Sequence, residues 1–472
     1  MKNLIYLLAC LLMNSVATSG QSTEHISSVI VRLKPEIQDS KSPLGEQKTL
    51  GIPILDSVTQ KYHAVKITKL SSGIKSKQYI YVIQFPEGMS IQQIIDDYYE
   101  TELIEYVEPD YIGSGGGKPN DQYYSRQWGL NNDGTFSLST ATYGADINME
   151  SAWDLEQGDS TIVVAVIDAG AKMDHPEFAG RIWHNGNEIP NNGIDDDGNG
   201  YTDDVQGWDF VNSDKDPTDN LGHGTNVTGI IGANGNNSIG YAGVDWNCKL
   251  MILKGINSSN YGYYSWWASA LYYAVDNGAK VINMSLGGTS TSSTLQNAIN
   301  YAVNNGVTVV ACMMNTNSNI TCYPAGFSGV IAVGSTNPDD TRSNPFFWSS
   351  ASGSNYGNHI SVVAPGNYIY GLSYQSNTDY STYWGGTSQA TPLVAGLASL
   401  LLAQDPTRTP AQIKSLIEST AEDQVGNTNE DTPGWDQYYG HGRINAFNAL
   451  YVYACNTSSS QTVSACKSYT WK

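Results

Sequence analysis

Thr161-Ile162-Val163-Val164-Ala165-Val166-Ile167-Asp168 decides how this chain must fold. The run has the length of a strand, is apolar without alternation, and closes on a carboxylate. A strand with no polar face belongs inside a sheet that is covered on both sides. Further runs of the same kind follow at Val281 to Met284, Val307 to Ala311, Val330 to Val333 and Ile360 to Ala364. Helical patterns closed by glycine lie between them: Trp266 to Asn277 before Gly278, and Leu295 to Asn305 before Gly306. Strands alternating with helices in this way predict an α/β fold with a mainly parallel central sheet. Ligands of such sheets gather at the carboxyl ends of strands, where Asp168 stands.

Toward the N-terminus the pattern changes. Lys2 precedes an apolar run from Leu4 to Met13 and then small and polar residues to Gly20. This predicts a secretory signal peptide at residues 1–20, because the run is too short to span a bilayer. The mature protein is then extracytoplasmic: extracellular, periplasmic or surface-held. Residues 21–118 read as a small α+β unit and a linker. Its strands are predicted at Val29 to Leu33, Tyr79 to Ile83 and Ile104 to Glu108, with a helix from Ile91 to Tyr99. Gly113-Ser114-Gly115-Gly116-Gly117 is a flexible, cuttable connection. A signal, a small domain and a cuttable linker ahead of a large domain (119–450) suggest a zymogen.

Residues 451–472 are too few for a domain. They read as a disulfide-closed hairpin through Cys455 and Cys466, and spacing also suggests Cys312–Cys322, leaving Cys248 free. The chain of 472 residues carries 45 acidic against 24 basic side chains, a net charge of −21. That balance argues against nucleic acid as a partner and suits a protein that holds cations. No later segment reads as a membrane span, and a monomer is expected.

Two more stretches join Asp168. Gly222-His223-Gly224-Thr225-Asn226-Val227-Thr228-Gly229 places an imidazole between glycines at a helix start. Gly385-Gly386-Thr387-Ser388-Gln389-Ala390-Thr391-Pro392 delivers a serine to the first turn of a helix that continues apolar on nearly every side from Leu393 to Leu400. Pro392 is expected at the helix start, where a missing N–H is tolerated. A serine hydroxyl becomes a nucleophile when a base takes its proton, and histidine serves best when a carboxylate fixes its tautomer.

With these motifs, in the order Asp, His, Ser, the chain resembles the subtilisin-like (subtilase) serine proteases, of the thermitase-like secreted type, over roughly Pro119 to Leu450. The resemblance implies a three-layer fold preceded by an inhibitor-like propeptide, and a secreted serine endopeptidase acting on protein or peptide substrates. Its own propeptide would be an intramolecular inhibitor. Asp168 would support the imidazolium, His223 act as base and then acid, Ser388 attack, and Asn315 bind the oxyanion, an effect worth about 3–4 kcal/mol. Ser285, Leu286 and Gly287 match the edge on which peptide is held as an added strand, with Asn260, Tyr261 and Gly262 opposite. Departures are Ala169 for the usual Thr, Asn226 for His, Gln389 for Met, Leu393 for His, and Met314 for Gly at the first specificity pocket.

Structural calcium is expected, and no organic cofactor. Asp209, Asn212, Asp214, Asp216 and Thr218 cluster hard oxygen ligands in one short loop that also matches a thermitase-like calcium loop. By resemblance a second site would use Asp121, Glu177 and Asn237, with carbonyls near Asn234, Ile239 and Tyr241. The insertion Ile194 to Asp204 offers Asp195, Asp197 and Asn199 around glycines; it is read as a third site or as a solvated acidic turn. His175, His184 and His359 are expected in turns or satisfied surface positions.

Two rival readings remain at this level. An esterase-type elbow at Ser388 with His441 as base would leave Asp168 and His223 unexplained. A catalytically silent calcium-binding adhesin on the same fold would show as an intact architecture without peptide turnover.

Overall fold

The computed structural model describes residues 28–34, 37, 45–47, 49–70, 79–86, 89–110 and 117–457. The signal peptide, most of the glycine linker and Cys466 lie outside the described residues. The chain divides into two compact units, Met1–Ser114 and Gly115–Lys472.

The first unit is an antiparallel five-stranded sheet with two helices. Its elements are β1 (Ser28–Leu33), β2 (Gly45–Gln47), α1 (Pro53–Lys61), β3 (Lys66–Lys69), β4 (Ile80–Gln84), α2 (Ile91–Glu100) and β5 (Ile104–Pro109), in the sheet order β2-β3-β4-β1-β5. In β1, Val29, Val31 and Leu33 are buried in alternation, giving one core face. Ile94, Ile95 and Tyr98 of α2 and Leu55 and Val58 of α1 bury against that face. The Ser90 hydroxyl caps α2 by accepting from the Gln93 N–H. The α+β expectation for this stretch agrees with these elements; α1, β2 and β3 had not been anticipated.

The second unit contains α3 (Met149–Ala152), β6 (Val163–Asp168), β7 (Gly207–Asp209), α4 (His223–Gly232), β8 (Lys249–Lys254), α5 (Tyr264–Asp276), β9 (Val281–Met284), α6 (Ser293–Asn304), β10 (Thr308–Cys312), β11 (Ile331–Thr336), β12 (Val362–Pro365), β13 (Ile369–Tyr370), β14 (Tyr383–Trp384), α7 (Thr387–Gln404), α8 (Pro410–Ser419) and α9 (Ala446–Thr457). Its seven-stranded sheet has the order β12-β11-β10-β9-β6-β8-β7 and every pairing is parallel. β13 and β14 form a separate antiparallel pair.

Side chains along each strand alternate between two apolar layers. Val164, Val166, Leu250 and Ile252 meet Val227 and Ile231 of α4 and Leu397 and Leu400 of α7. Ala165, Ile167, Met251 and Leu253 meet Trp267 and Leu271 of α5 and Leu295 and Ile299 of α6. This is the three-layer α/β architecture expected. β8 had been passed over, although Leu250 to Leu253 is another uninterrupted apolar run. The chain leaves β6, builds β7 and β8 on one side, and crosses to β9 on the other. The crevice opened where the strand order reverses is where ligands bind in such sheets.

α7 is buried from Thr387 to Leu402. Each large apolar side chain so buried is worth about 1.5–3 kcal/mol, so Leu393, Val394, Leu397, Leu400 and Leu401 outweigh a proline costing about 3 kcal/mol and a glycine costing about 1. Pro392 lies inside the helix, not at its start as expected. A residue with an N–H there would donate to the Ser388 carbonyl; that carbonyl instead accepts from the Ser285 hydroxyl at 2.8 Å.

One cysteine expectation is corrected. Cys312 and Cys322 are free thiols. The Cys312 sulfur packs 3.6 Å from the Met314 sulfur, and Cys322 accepts from the Asn355 amide at 3.7 Å, so each has a different partner. Burial pushes the Cys312 thiol up to about 12 and raises Cys322 too, which keeps both protonated. α9 runs through Cys455 to Thr457, and the expected Cys455–Cys466 bridge falls on Cys466, outside the described residues. Among the described residues, no helix is long and apolar enough to cross a membrane.

Candidate active site

β6 carries Asp168 to the carboxyl edge of the sheet, and α4 begins with His223. The two elements approach closely: a Cβ on Gly224 would lie 2.1 Å from the Gly170 carbonyl oxygen, so only glycine fits. The turn before α4 is tied by buried Asp219. One of its oxygens accepts from the N–H groups of Leu221 and Gly222, both at 2.8 Å; the other accepts from the Thr225 N–H at 2.8 Å and hydroxyl at 2.6 Å. The sequence reading missed Asp219, although an aspartate ahead of a helix start is a capping signal.

His223 Nδ1 lies 2.7 Å from Asp168 Oδ1. Asp168 is fully buried, and the same oxygen accepts from the Ala169 N–H at 2.7 Å. Its Oδ2 has no partner, and Ala169 has no hydroxyl to offer. An aspartate oxygen only accepts, so Nδ1 carries the proton and Nε2 keeps its lone pair. Burial pulls the imidazole pKa down, but the charge and hydrogen bond of Asp168, aided by the charge of Asp219, outweigh it; the net shift is upward. The Trp384 ring stands edge-on to the imidazole, 5.7 Å between centroids.

Ser388 sits in the first turn of α7, on the same cleft of about 590 Å³ as His223. Its hydroxyl donates to the Ser285 carbonyl at 3.2 Å, and no hydrogen bond joins it to His223 in this resting geometry. Asn315 faces the same cleft. Its Oδ1 accepts from the Thr387 N–H at 2.8 Å and hydroxyl at 3.0 Å, which leaves the amide N–H groups to point at a ligand. Ser285, Leu286, Gly287, Asn260, Tyr261, Gly262 and Met314 all line this cleft, so the structure brings the expected substrate-edge residues together. Phe347, Trp348, Tyr383 and Trp384 also line it and had not been anticipated; the aromatic run at Phe346 to Trp348 was the available signal. His441 does not line the cleft and faces Glu418 at 4.0 Å.

Residues 159–442 match the model of the subtilase family, Peptidase S8. The chain belongs to the subtilase family. A thermophilic serine proteinase of Bacillus sp. strain AK1 is 33% identical over 425 residues, covering 89% of this chain and 86% of that one. Thermitase of Thermoactinomyces vulgaris is 37% identical over 333 residues, covering 70% of this chain and 99% of its own. A solved protease structure from Pseudoalteromonas arctica superposes with a TM-score of 0.53 at 28% identity, covering 71% of this chain and 99% of that one. This subtilase is accordingly a serine endopeptidase of the thermitase-like kind.

The expected cation ligands fare unequally in the subtilase. Asp121 and Glu177 are buried, Asn237 donates to Glu177 at 2.7 Å, and Asp121 Oδ1 has no partner. Burial raises Asp121 and pushes Glu177 up to about 7. Buried carboxylates with an orphan oxygen fit a cation. In the Asp209 loop, the buried Lys254 ammonium lies 3.2 Å from Asp209 Oδ2 and 3.0 Å from the Thr218 carbonyl, so Asp209 already has a cationic partner. Asn212 donates to Asp209, while Asp214 and Asp216 accept from their own loop's N–H groups at 2.9 and 3.2 Å. That set does not fit a calcium ion held by Asp209. In the insertion, Asp195 turns back to the N–H groups of Asn199 and Gly200, and the Asn199 amide donates to Asp197 and Asp204. The carboxylates gathered there are Glu188, Asp197 and Asp204, within 4.8 Å of one another. Of the expected trio, Asp197 is in this group, Asn199 lies against it through its amide, and Asp195 is outside it.

His175 closes a turn, its N–H donating to the Lys172 carbonyl at 2.9 Å, and is buried there; its Nδ1 accepts from the Glu177 N–H at 3.2 Å, and burial lowers its pKa to about 4. His184 is exposed and His359 half-buried.

Proposed function

We propose that this subtilase is made as a secreted zymogen and hydrolyses peptide bonds through Asp168, His223 and Ser388. The 2.7 Å contact between His223 Nδ1 and Asp168 Oδ1, on the wall of the cleft that holds Ser388, carries the reading. A peptide would add as a strand to Ser285–Gly287 with its scissile carbonyl over Ser388. The Ser388 oxygen attacks the carbonyl carbon while its proton passes to His223 Nε2, and Asp168 holds the imidazolium. The tetrahedral oxyanion is bound by the Asn315 amide and the Ser388 N–H. Collapse passes the proton from His223 to the leaving amine and leaves an ester on Ser388. Water, deprotonated by His223, then attacks that ester, and Ser388 leaves with its proton restored.

Calcium would be held by Asp121, Glu177 and Asn237, and a second ion by Glu188, Asp197 and Asp204. Its part is structural: it balances buried negative charge and, by binding only the folded state, adds stability. Residues 21–118 would block the cleft until cut in the linker.

The test is cleavage of an unstructured protein by wild type and by Ser388→Ala, with the products sequenced. Cutting lost in the variant is expected. Equal cutting by both overturns the triad assignment; no cutting by processed, calcium-loaded wild type overturns it too and favours the silent binding protein. Full-length Ser388→Ala is expected to keep its propeptide when no other protease is present; spontaneous loss overturns self-processing.

A further inference from the structure

Resting on that peptidase reading, we infer that the Met314 side chain fills the slot for the substrate side chain just before the scissile bond, so that the enzyme cuts after small residues such as glycine, alanine and serine.

The slot is located by the groups around it. A scissile carbonyl held between Asn315 and Ser388 places the side chain of its own residue a few ångströms away, beside the edge formed by Ser285 to Gly287. Met314 precedes Asn315 and faces Gly287 across this gap. A Cβ on Gly287 would lie 3.2 Å from the Met314 sulfur and 3.4 Å from its Cγ. Gly287 leaves the space open, and the thioether occupies it. The Tyr323 carbonyl closes the same gap, 3.1 Å from that Cβ position, and the wall is fixed by paired hydrogen bonds between Gly288 and Tyr323 at 2.9 and 2.8 Å. Beneath, the Cys312 sulfur touches the Met314 sulfur at 3.6 Å and seats it.

The backbone supplies a second line of argument. Met314 has φ +72°, a left-handed conformation that glycine adopts freely and a long side chain does not. A methionine kept in a strained position on a cleft wall points to a use for its side chain. A well-packed wall excludes a large group more strongly than it favours a small one, so the effect falls on discrimination between substrates.

The experiment compares two peptides identical except for alanine or phenylalanine before the scissile bond, with wild type, Met314→Gly and Met314→Ala. Wild type is expected to favour alanine in kcat/KM by at least about tenfold, and Met314→Gly to shift the ratio toward phenylalanine by at least about tenfold, with Met314→Ala between. Glycine suits φ +72°, so the variant should fold, and an unchanged or higher Tm checks this. Wild type that cuts after phenylalanine as well as after alanine overturns the inference, as does a ratio that Met314→Gly moves by less than about twofold. Ser388→Ala separates the two levels. Cleavage lost in that variant with an unmoved ratio sinks only the Met314 inference, whereas no cleavage by any chain that retains Ser388 sinks the peptidase reading and this inference with it.

Discussion

The Ser285 hydroxyl donates to the backbone carbonyl of Ser388 at 2.8 Å, and Ser388 donates its own hydroxyl to the Ser285 carbonyl at 3.2 Å. The exchange ties the end of β9 to the first turn of α7, and it is possible because Pro392 leaves the Ser388 carbonyl without a helical donor. Ser285→Ala is expected to destabilise the protein by about 1–3 kcal/mol, the cost of a buried unpaired carbonyl. Adding Pro392→Ala supplies an N–H to that carbonyl and should recover much of the loss. Denaturant unfolding of both single variants and the double variant measures the coupling; purely additive losses would show that the carbonyl is not the link.

His223 must be neutral to take the serine proton. Its pKa is raised, so activity should fall on acidification from a pH above the ordinary histidine value of 6.5. Asp219→Asn removes a nearby negative charge that favours the imidazolium, so the midpoint should move to lower pH. A kcat/KM profile of wild type and variant checks the direction; a midpoint unmoved or shifted upward contradicts the electrostatic role.

Thr387 holds the Asn315 carbonyl oxygen with two donors. Thr387→Val removes one of them and lets the amide rotate. kcat should drop with KM nearly unchanged, by less than the roughly 10²–10³-fold expected for Asn315→Ala. A Thr387→Val change confined to KM would assign the residue to substrate binding instead.

Removal of calcium should lower Tm by several degrees, because Asp121 and Glu177 would be left buried without a counter-charge. Asp121→Asn should have a lower Tm in calcium than wild type and a smaller response to chelator. Superimposable melting curves with and without chelator would rule the site out.

How much of this was readable differs from residue to residue. Asp168, His223 and Ser388 stand in local patterns that also set their positions: a strand end, a glycine-flanked helix start, a small-residue turn into a buried helix. Phe347, Trp348 and Trp384 stand in no pattern that sets their position, and it is long-range packing that brings them to the cleft. The cation loops show the same limit. Spacing predicted Asp195, Asp197 and Asn199, but the chain path turns Asp195 to its own loop's N–H groups, draws in Asp204 from the end of the insertion and adds Glu188 from before it. Lys254 disqualifies Asp209 from a different strand.

By itself, then, the sequence determined the parallel sheet, its covering helices and the motifs that carry Asp168, His223 and Ser388, because apolar period and turn chemistry act over a few residues. Only the tertiary structure decided which carboxylates gather, that Cys312 and Cys322 remain thiols, that the Ser388 carbonyl finds its donor in Ser285, and that Met314 lies across Gly287. Those outcomes depend on ångström-scale distances between segments far apart in the chain, and no local pattern encodes such distances.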